Sequence, residues 1–360
     1  MLRPRKRTIG ARWRTSLCAA RIVLPAILSA CGGLTETASP SQDAAHDVSS
    51  SDASIDSSDA ADASLLGWSL IPRFNDGSRI SSLAAPAVGE AWAVDDNEFW
   101  HVVGGTWTAG HAHASDGRGV VAAAPGYAIF AVQDHDKWQW RDGVWSTWGE
   151  STRYVVSEAC SRRDKCTAAV YEGGRPVAGR PSTVISVNLE DGSYWSTALG
   201  VGAPKNCLEC EPQIATLGAV HWLAMRTSPA SPLFLMGFDR WAAAQNLPPD
   251  GCDRIVAALD SRVLCLGGSG AVCSSPMDCV SPCTWSCTPT PPFVASGFWA
   301  ATSTSVWIVG AHGAIAHWDG AIWTQFPSLV DEALEAIAGS SDSDLWVGGD
   351  HGSVLHYGPH

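Results

Sequence analysis

Basic residues are scarce everywhere except at the extreme amino terminus. Of 23 Lys and Arg in 360 residues, seven (Arg3, Arg5, Lys6, Arg7, Arg12, Arg14 and Arg21) precede Cys31, and no acid accompanies them. Past that point 16 basic residues face all 36 acids, a net charge of −20. So acidic a surface excludes nucleic acid as a partner, because phosphate backbones reward Lys and Arg clusters. Tyrosines number five, too few to pick out a sialidase-type tyrosine nucleophile with its arginine cluster. There is no G-x-S-x-G, no P-loop and no dinucleotide fingerprint. The longest apolar run near the amino terminus, Ile22 to Leu28, is too short to span a bilayer as a permanent helix.

A basic segment, then that apolar run, then small residues make a signal peptide over residues 1–30. Leu28-Ser29-Ala30-Cys31 resembles the bacterial lipobox, which implies a lipid-bearing Cys31 at the new amino terminus. Gly32, rather than an aspartate, follows it; by resemblance to the sorting of enterobacterial lipoproteins this implies the outer membrane. Residues 31–66 form the next segment, rich in Ser, Ala and Asp, with seven acids and no Lys or Arg. It lacks the apolar surface to offset its ordering entropy and is expected to be a disordered tether.

From residue 67 onward the chain repeats itself. Ser305 to Pro327 (SVWIVGAHGAIAHWDGAIWTQFP) returns 39 residues later, so that Trp307, His312, Gly313 and His317 reappear as Trp346, His351, Gly352 and His356. A period near 40 with an aromatic landmark predicts a β-propeller. Each unit reads as four antiparallel strands; in the best copy these are 298–301, 306–309, 314–318 and 322–324, with Asp319-Gly320 as a hairpin turn. One landmark, a Trp usually followed by Ser or Thr, marks the fourth strand at Trp68, Trp107, Trp145, Trp195, Trp241, Trp285 and Trp323. Seven landmarks predict seven blades over residues 67–360. Trp92, Phe130, Leu264 and Trp346 occupy the second-strand position of Trp307, and the third and fourth blades show no second-strand landmark. Repeating Trp323 once more needs a residue 362, beyond His360, so the strand around Trp68 is expected to complete the last blade and close the ring.

Ten cysteines follow Cys31: Cys160, Cys166, Cys207, Cys210, Cys252, Cys265, Cys273, Cys279, Cys283 and Cys287. In an exported protein they read as structural disulfides, with pairings that spacing cannot assign. The fifth blade carries a five-residue insertion between Cys273 and Trp285, a loop expected to be stapled.

Candidates for chemistry resolve mostly into architecture. His101, His317 and His356 recur six residues before a landmark or at the matching place, with Gln139 in the second blade, and recurrence marks a side chain that bonds between strands or blades. His111-x-His113 lacks a third metal ligand. Asp142-Gly143, Asp191-Gly192 and Asp319-Gly320 are turn residues, and Asp95 to Glu98 and Asp134-x-Asp136 read as solvated turn acids rather than calcium ligands. Asn188 to Trp195 loosely resembles the Asp box of sialidase-type propellers, with Glu190 in place of its aspartate. Trp138, Trp140 and Trp148 crowd one blade and read as packing before they read as a stacking surface. No catalytic residue, metal ligand or cofactor is expected.

The units resemble the DVWAVG-x-x-G-x-I-x-HYDG-x-x-W propeller-like repeats of exported lipoproteins of Gram-negative bacteria, most closely over 296–360. The resemblance implies an outer-membrane lipoprotein attached through its lipid anchor. Two readings of function follow: a non-enzymatic binding or scaffolding propeller with an envelope protein or glycan as partner, or a propeller-type glycan hydrolase or lyase. An envelope-assembly factor falls within the first.

Overall fold

The structure is a computed structural model that describes residues 66–72, 77–96, 98–112, 119–132, 137–147, 153–162, 165–172, 183–188, 194–198, 212–217, 220–225, 233–236, 241–243, 246–258, 260–279 and 282–359. The signal peptide, Cys31, the acidic tether, Cys207, Cys210, His113, Asp134-x-Asp136, Trp148 and the centre of the Asp-box-like stretch lie outside the described residues.

The described residues form seven four-stranded antiparallel sheets. Strand β1 is Leu66–Ile71. Sheet I holds β2 (Ser82–Ala87), β3 (Glu90–Val94), β4 (Glu98–Val103) and β5 (Thr106–Ala112); sheet II holds β6 (Gly119–Ala124), β7 (Tyr127–Val132), β8 (Lys137–Arg141) and β9 (Val144–Thr147). Sheet III has β10 (Arg153–Arg162), β11 (Lys165–Glu172), β12 (Thr183–Asn188) and β13 (Tyr194–Ala198). Sheet IV has β14 (Pro212–Leu217), β15 (Val220–Met225), β16 (Leu233–Met236) and β17 (Trp241–Ala243). Sheet V has β18 (Arg254–Ala258), β19 (Arg262–Leu266), β20 (Val272–Pro276) and β21 (Ser286–Cys287), and sheet VI has β22 (Ala295–Thr302), β23 (Ser305–Gly310), β24 (Ile315–Trp318) and β25 (Trp323–Phe326). Sheet VII takes β26 (Leu334–Ser341), β27 (Asp344–Gly349) and β28 (Val354–Pro359), and its fourth member is β1.

The second strands are apolar along both faces because a sheet packs on each side of them: β27 is buried throughout and β23 in all but its first residue. Such strands lose the polar-apolar alternation of a half-exposed sheet. The first strands β2, β6, β10, β14, β18, β22 and β26 each contact the first strand of the next sheet, and β26 also contacts β2. Hairpins joining first to second and third to fourth strands share one end of every sheet, here the hairpin end. The second-to-third loops and the connections between sheets share the other, the loop end. Leu66 pairs with Pro359 and Ile71 with Val354, so β1 starts at the hairpin end.

One aromatic contact recurs between sheets. The second-strand indole of one sheet meets the fourth-strand indole of the next, edge to face: Trp92 and Trp145 at 6.1 Å, Trp222 and Trp285 at 6.1 Å, Trp307 and Trp68 at 5.8 Å, Trp346 and Trp107 at 5.8 Å. Trp92, Trp222, Trp307 and Trp346 are at most 2% exposed. Burying an indole is worth about 5 kcal/mol before entropy is charged against it. These contacts therefore outweigh the polar ones described below as sources of stability.

Three expectations change at this level. Trp222 is the second-strand landmark of sheet IV, where none was expected. Ile129, not Phe130, pairs with Gln139, so Phe130 points the opposite way and packs at 5.4 Å from Trp92 of sheet I. Trp285 stands just before β21 rather than on it. The other landmarks Trp68, Trp107, Trp145, Trp195, Trp241 and Trp323 lie on the last strand of their sheets.

Among the described residues, three disulfides belong to sheet V. Cys252 is bonded to Cys265, Cys273 to Cys287 across β20 and β21, and Cys279 to Cys283 within the insertion. The first of these sits in the core between sheets IV and V with Trp222. Cys160 stands opposite Cys166 in the β10–β11 register.

Trp68→Ala removes the indole that packs between Trp307 and Tyr357. Urea unfolding should show a loss of about 3 kcal/mol. Leu70→Ala on the same strand, with Leu70 49% exposed, should cost about 0.5 kcal/mol or less. Equal losses would show that the strand adds length to sheet VII without anchoring it.

Candidate functional site

The recurring histidines are spent on architecture. Each stacks on the second-strand indole opposite: His101 on Trp92 at 3.6 Å, His317 on Trp307 at 4.2 Å, His356 on Trp346 at 4.1 Å. A polar side chain two residues before each Trp then clasps the imidazole. Glu90 Oε1 lies 3.1 Å from His101 Nε2, Ser305 Oγ 2.8 Å from His317 Nε2, and Asp344 Oδ1 2.9 Å from His356 Nε2. Glu90 and Asp344 can only accept, so His101 and His356 carry their proton on Nε2. In sheet II the same clasp is Tyr127 hydroxyl donating to Gln139 Oε1 at 3.1 Å, and in sheet V Arg262 Nε donating to Ser274 Oγ at 3.2 Å. At about 1 kcal/mol each these bonds set register rather than stability.

Some clasps reach the next sheet. Ser305 Oγ donates to Asp342 of sheet VII. Asp344, 1% exposed, accepts from His356 on Oδ1, from Gly89 N–H of sheet I on the same oxygen at 3.2 Å, and from Ser340 Oγ on Oδ2 at 2.5 Å. Burial acts to raise the Asp344 pKa, but the donors His356, Ser340 and Gly89 together hold it below the ordinary carboxylate value.

His312 and His351, which also recur, lie outside the strands. They occupy the short 3₁₀ turns Ala311–Gly313 and Asp350–Gly352 at the loop end with φ of 55°, a left-handed conformation uncommon outside glycine. His312 Nδ1 lies 3.4 Å from Asp331 Oδ1, with both side chains exposed.

The turn acids divide. Asp142 and Gly143 both have positive φ, 48° and 86°, whereas at Asp319-Gly320 only the glycine does. Asp319 instead accepts the Ala321 and Ile322 N–H groups at 2.9 and 2.8 Å, which lowers its pKa. Asp95 is not a solvated turn acid: it is 1% exposed and accepts Glu98 N–H at 2.7 Å and the Trp100 indole N–H at 2.8 Å. Trp140 packs 5.0 Å from Trp92, and Trp138 joins the same core.

What remains is a cavity of about 220 Å³ where the first strands of six sheets begin, at the loop end. Ser82, Gln213, Arg254 and Gly297 line it, and each pairs with the residue two beyond the second-strand landmark: Val94, Ala224, Leu266 and Val309. These four residues form one layer of the cavity wall, yet no two are alike. Glu335, at the bulge that opens β26, adds a carboxylate, and Arg79 NH1 approaches it at 3.7 Å. Ser82 Oγ accepts Val121 N–H and Gln213 Oε1 accepts Ile255 N–H, bonds that tie neighbouring sheets. None of these residues was singled out in the sequence. Their one signal there is that equivalent first-strand positions differ between units that otherwise repeat.

No protein-family profile and no curated protein matches the sequence. Solved structures do match. A structure of YCF48 bound to D1 peptide superposes with a TM-score of 0.62 at 15% identity, covering 81% of this chain and 97% of that one. A streptogramin B lyase structure gives a TM-score of 0.62 at 11% identity over 81% and 97%, and the WD40 β-propeller domain of Doa1 gives 0.60 at 11% over 82% and 98%. The chain has the β-propeller fold. Those proteins differ in function, so the likeness extends to fold alone.

Burial pushes the His101 and His317 imidazoles below their ordinary value of 6.5; Glu90 beside the first, and Asp342 and Asp319 near the second, offset only part of it. A depressed pKa means that the unfolded chain takes up the proton first. The stability these histidines contribute is complete above pH 6.5 and is lost as pH falls through their folded values. Denaturant midpoints should therefore drop between pH 7.5 and about 5.5, and the double variant His101→Gln/His317→Gln should flatten that drop, since Gln139 already fills the position in sheet II. An unchanged slope would place the titration elsewhere. Asp344→Ala strands the buried donors of His356 and Gly89 and should cost about 3 kcal/mol at neutral pH in the same assay.

Proposed function

We propose that this chain is a membrane-anchored, non-enzymatic binding propeller of the bacterial cell envelope, with seven blades closed into a ring by β1 and with the loop-end mouth of its central cavity as the binding site. Closure is supported by the β1–β28 ladder, by the contact of β26 with β2 and by the Trp346–Trp107 pair. A closed ring leaves no sheet edge open to aggregation.

The observation that carries the binding assignment is a division of labour among polar side chains. The repeating His101, His317 and His356 are engaged, with Glu90, Ser305 and Asp344, in bonds within and between sheets. The polar side chains of the first strands, Ser82, Gln213, Arg254 and Glu335, gather at one mouth. The lipobox-like Leu28 to Cys31 supports an acyl anchor on Cys31 at the outer membrane, and the intervening segment, as a flexible coil, reaches about 30 to 35 Å. β1 begins at the hairpin end, so the described part of the chain starts opposite the mouth. The peptide held by YCF48 is a precedent within the fold for a polypeptide partner.

Two measurements test the proposal. Metabolic palmitate labelling should be abolished by Cys31→Ser, and labelling that persists would remove the anchor. Detergent-extracted full chain, cross-linked in cells, should capture an envelope protein whose yield falls at least tenfold with Arg254→Ser; capture indifferent to that change would move the binding site off the mouth.

A further inference from the structure

We infer that Cys252, Cys265, Cys273 and Cys287 form a thiol–disulfide relay, in which a thiol from solution is captured on Cys287 as a mixed disulfide and the sulfur of Cys252 is left as a buried thiol. The relay lies in sheet V and does not depend on the mouth being a binding site. Three neighbouring strands place its sulfurs in a row. Cys265 of β19 stands directly opposite Cys273 of β20, and Cys273 directly opposite Cys287 of β21. Opposed residues of an antiparallel ladder point to the same face, so the three side chains leave the sheet on one side. Bonds occupy the two ends of the row, Cys252 to Cys265 and Cys273 to Cys287. The step between Cys265 and Cys273 is equally short. Opposed residues have Cα atoms about 4.5 to 5.5 Å apart, within the range of about 4.4 to 6.8 Å that a disulfide spans.

Exposure runs one way along the row. Cys287 is exposed on the last strand of the sheet, Cys273 is nearly buried, and Cys265 and Cys252 are fully buried. A thiolate from solution therefore meets the Cys273–Cys287 bond at the Cys287 sulfur and has no direct path to the Cys252–Cys265 bond. Its attack forms a bond to Cys287 Sγ, breaks the bond to Cys273 and leaves the electron pair on Cys273 Sγ. That thiolate has two targets. Return to Cys287 expels the incoming thiol, with the advantage of an intramolecular reaction. Attack on Cys265 Sγ instead joins Cys265 to Cys273, breaks the Cys252–Cys265 bond and leaves the electron pair on Cys252 Sγ, which takes a proton from solvent. Two disulfides and one thiol are present before and after, so neither an oxidant nor a reductant is consumed.

The surroundings of Cys252 make the second course the lasting one. Its sulfur belongs to the apolar core that holds Trp222, Ile255 and Met277. Such a place disfavours thiolate, and a neutral thiol is a poor nucleophile for the reverse attack. The same burial slows the departure of Cys252, so the relay closes slowly and, once closed, stays closed. The Arg254 carbonyl oxygen lies 3.3 Å from Cys252 Sγ. A disulfide sulfur has no hydrogen to offer it, whereas a thiol finds its acceptor already in place. The Cys279–Cys283 disulfide borders the same core but lies off the ladder and takes no part in the row.

The test incubates purified full chain with a small excess of biotinylated glutathione, or of a biotinylated unstructured peptide carrying a single cysteine. The mixture is quenched in acid, blocked with N-ethylmaleimide in denaturant and digested with pepsin for disulfide mapping. The map should show the probe on Cys287, Cys265 joined to Cys273, and N-ethylmaleimide on Cys252. Cys252→Ala/Cys265→Ala leaves Cys273 no second target and should hold at least about tenfold less probe, while Cys279→Ala/Cys283→Ala should hold as much as the native chain. Probe on Cys287 with Cys273 alkylated and Cys252 still joined to Cys265 overturns the relay, as does a Cys252→Ala/Cys265→Ala chain that holds as much probe as the native one. Probe on Cys279 or Cys283, or no adduct at all, overturns Cys287 as the point of entry. The native chain is mapped directly, so the result stands even where a double variant does not fold. Capture of glutathione alone assigns a small thiol as the substrate, and capture of the peptide assigns a polypeptide cysteine; either supports the relay.

Discussion

An indole on the second strand of one sheet, set edge-on against an indole on the last strand of the next, is the contact on which the other features depend. It fixes the spacing between sheets with side chains too large to slide past one another, and it repeats at the junctions of sheets I and II, IV and V, VI and VII, and VII and I. At the junction of V and VI, Leu264 replaces the indole and Trp323 packs against the same core. With the outer strands spaced by these rings, the first strands converge, and the cavity is what their convergence leaves.

Much of this was legible because packing constraints recur. A residue that fills the same hole in every sheet leaves a periodic trace, and the fourth-strand tryptophans, the stacked histidines and the β1 strand were found from that trace. Sheet II shows how the trace fails: with Ile129 in place of an indole, the neighbouring Phe130 looked like the landmark, although it points to the opposite face. Period-two geometry turns a one-residue error into the wrong side of the sheet. Asp95 was misjudged for a different reason. Its acid-rich context suggests solvent, and only the position of Trp100, five residues on, shows that a buried indole donor claims it. The cavity wall was illegible by the same logic that made the landmarks visible, because Ser82, Gln213, Arg254 and Gly297 share a position but no chemistry.

The two ends of the sheets consequently play different parts. The hairpin end carries inter-sheet polar bonds, Asp260 to Ser303, Ser305 to Asp342 and Asp344 to Gly89, which lock neighbouring turns. The loop end carries the cavity and the two left-handed histidine turns. Gly313 in one of these is packed so closely against Ser328 and Val330 that a Cβ has no room. Substitution there would distort the frame around the mouth without touching any group inside it.

The pairing of β1 with β28 also orders events in time. Ser69 donates to the His356 carbonyl across 287 residues of sequence, so the first described strand must wait, unpaired, for the last described one. During synthesis β1 emerges ahead of the other described strands, and each sheet from I to VI can form as it appears. Sheet VII cannot. Until β28 has emerged, β1 lacks its neighbour, and the entropy of bringing together segments so far apart in sequence falls on one late step. A chain stalled during synthesis would then differ from a folded one in the unpaired edge of β1, which gives a chaperone or protease a feature by which to tell the two apart.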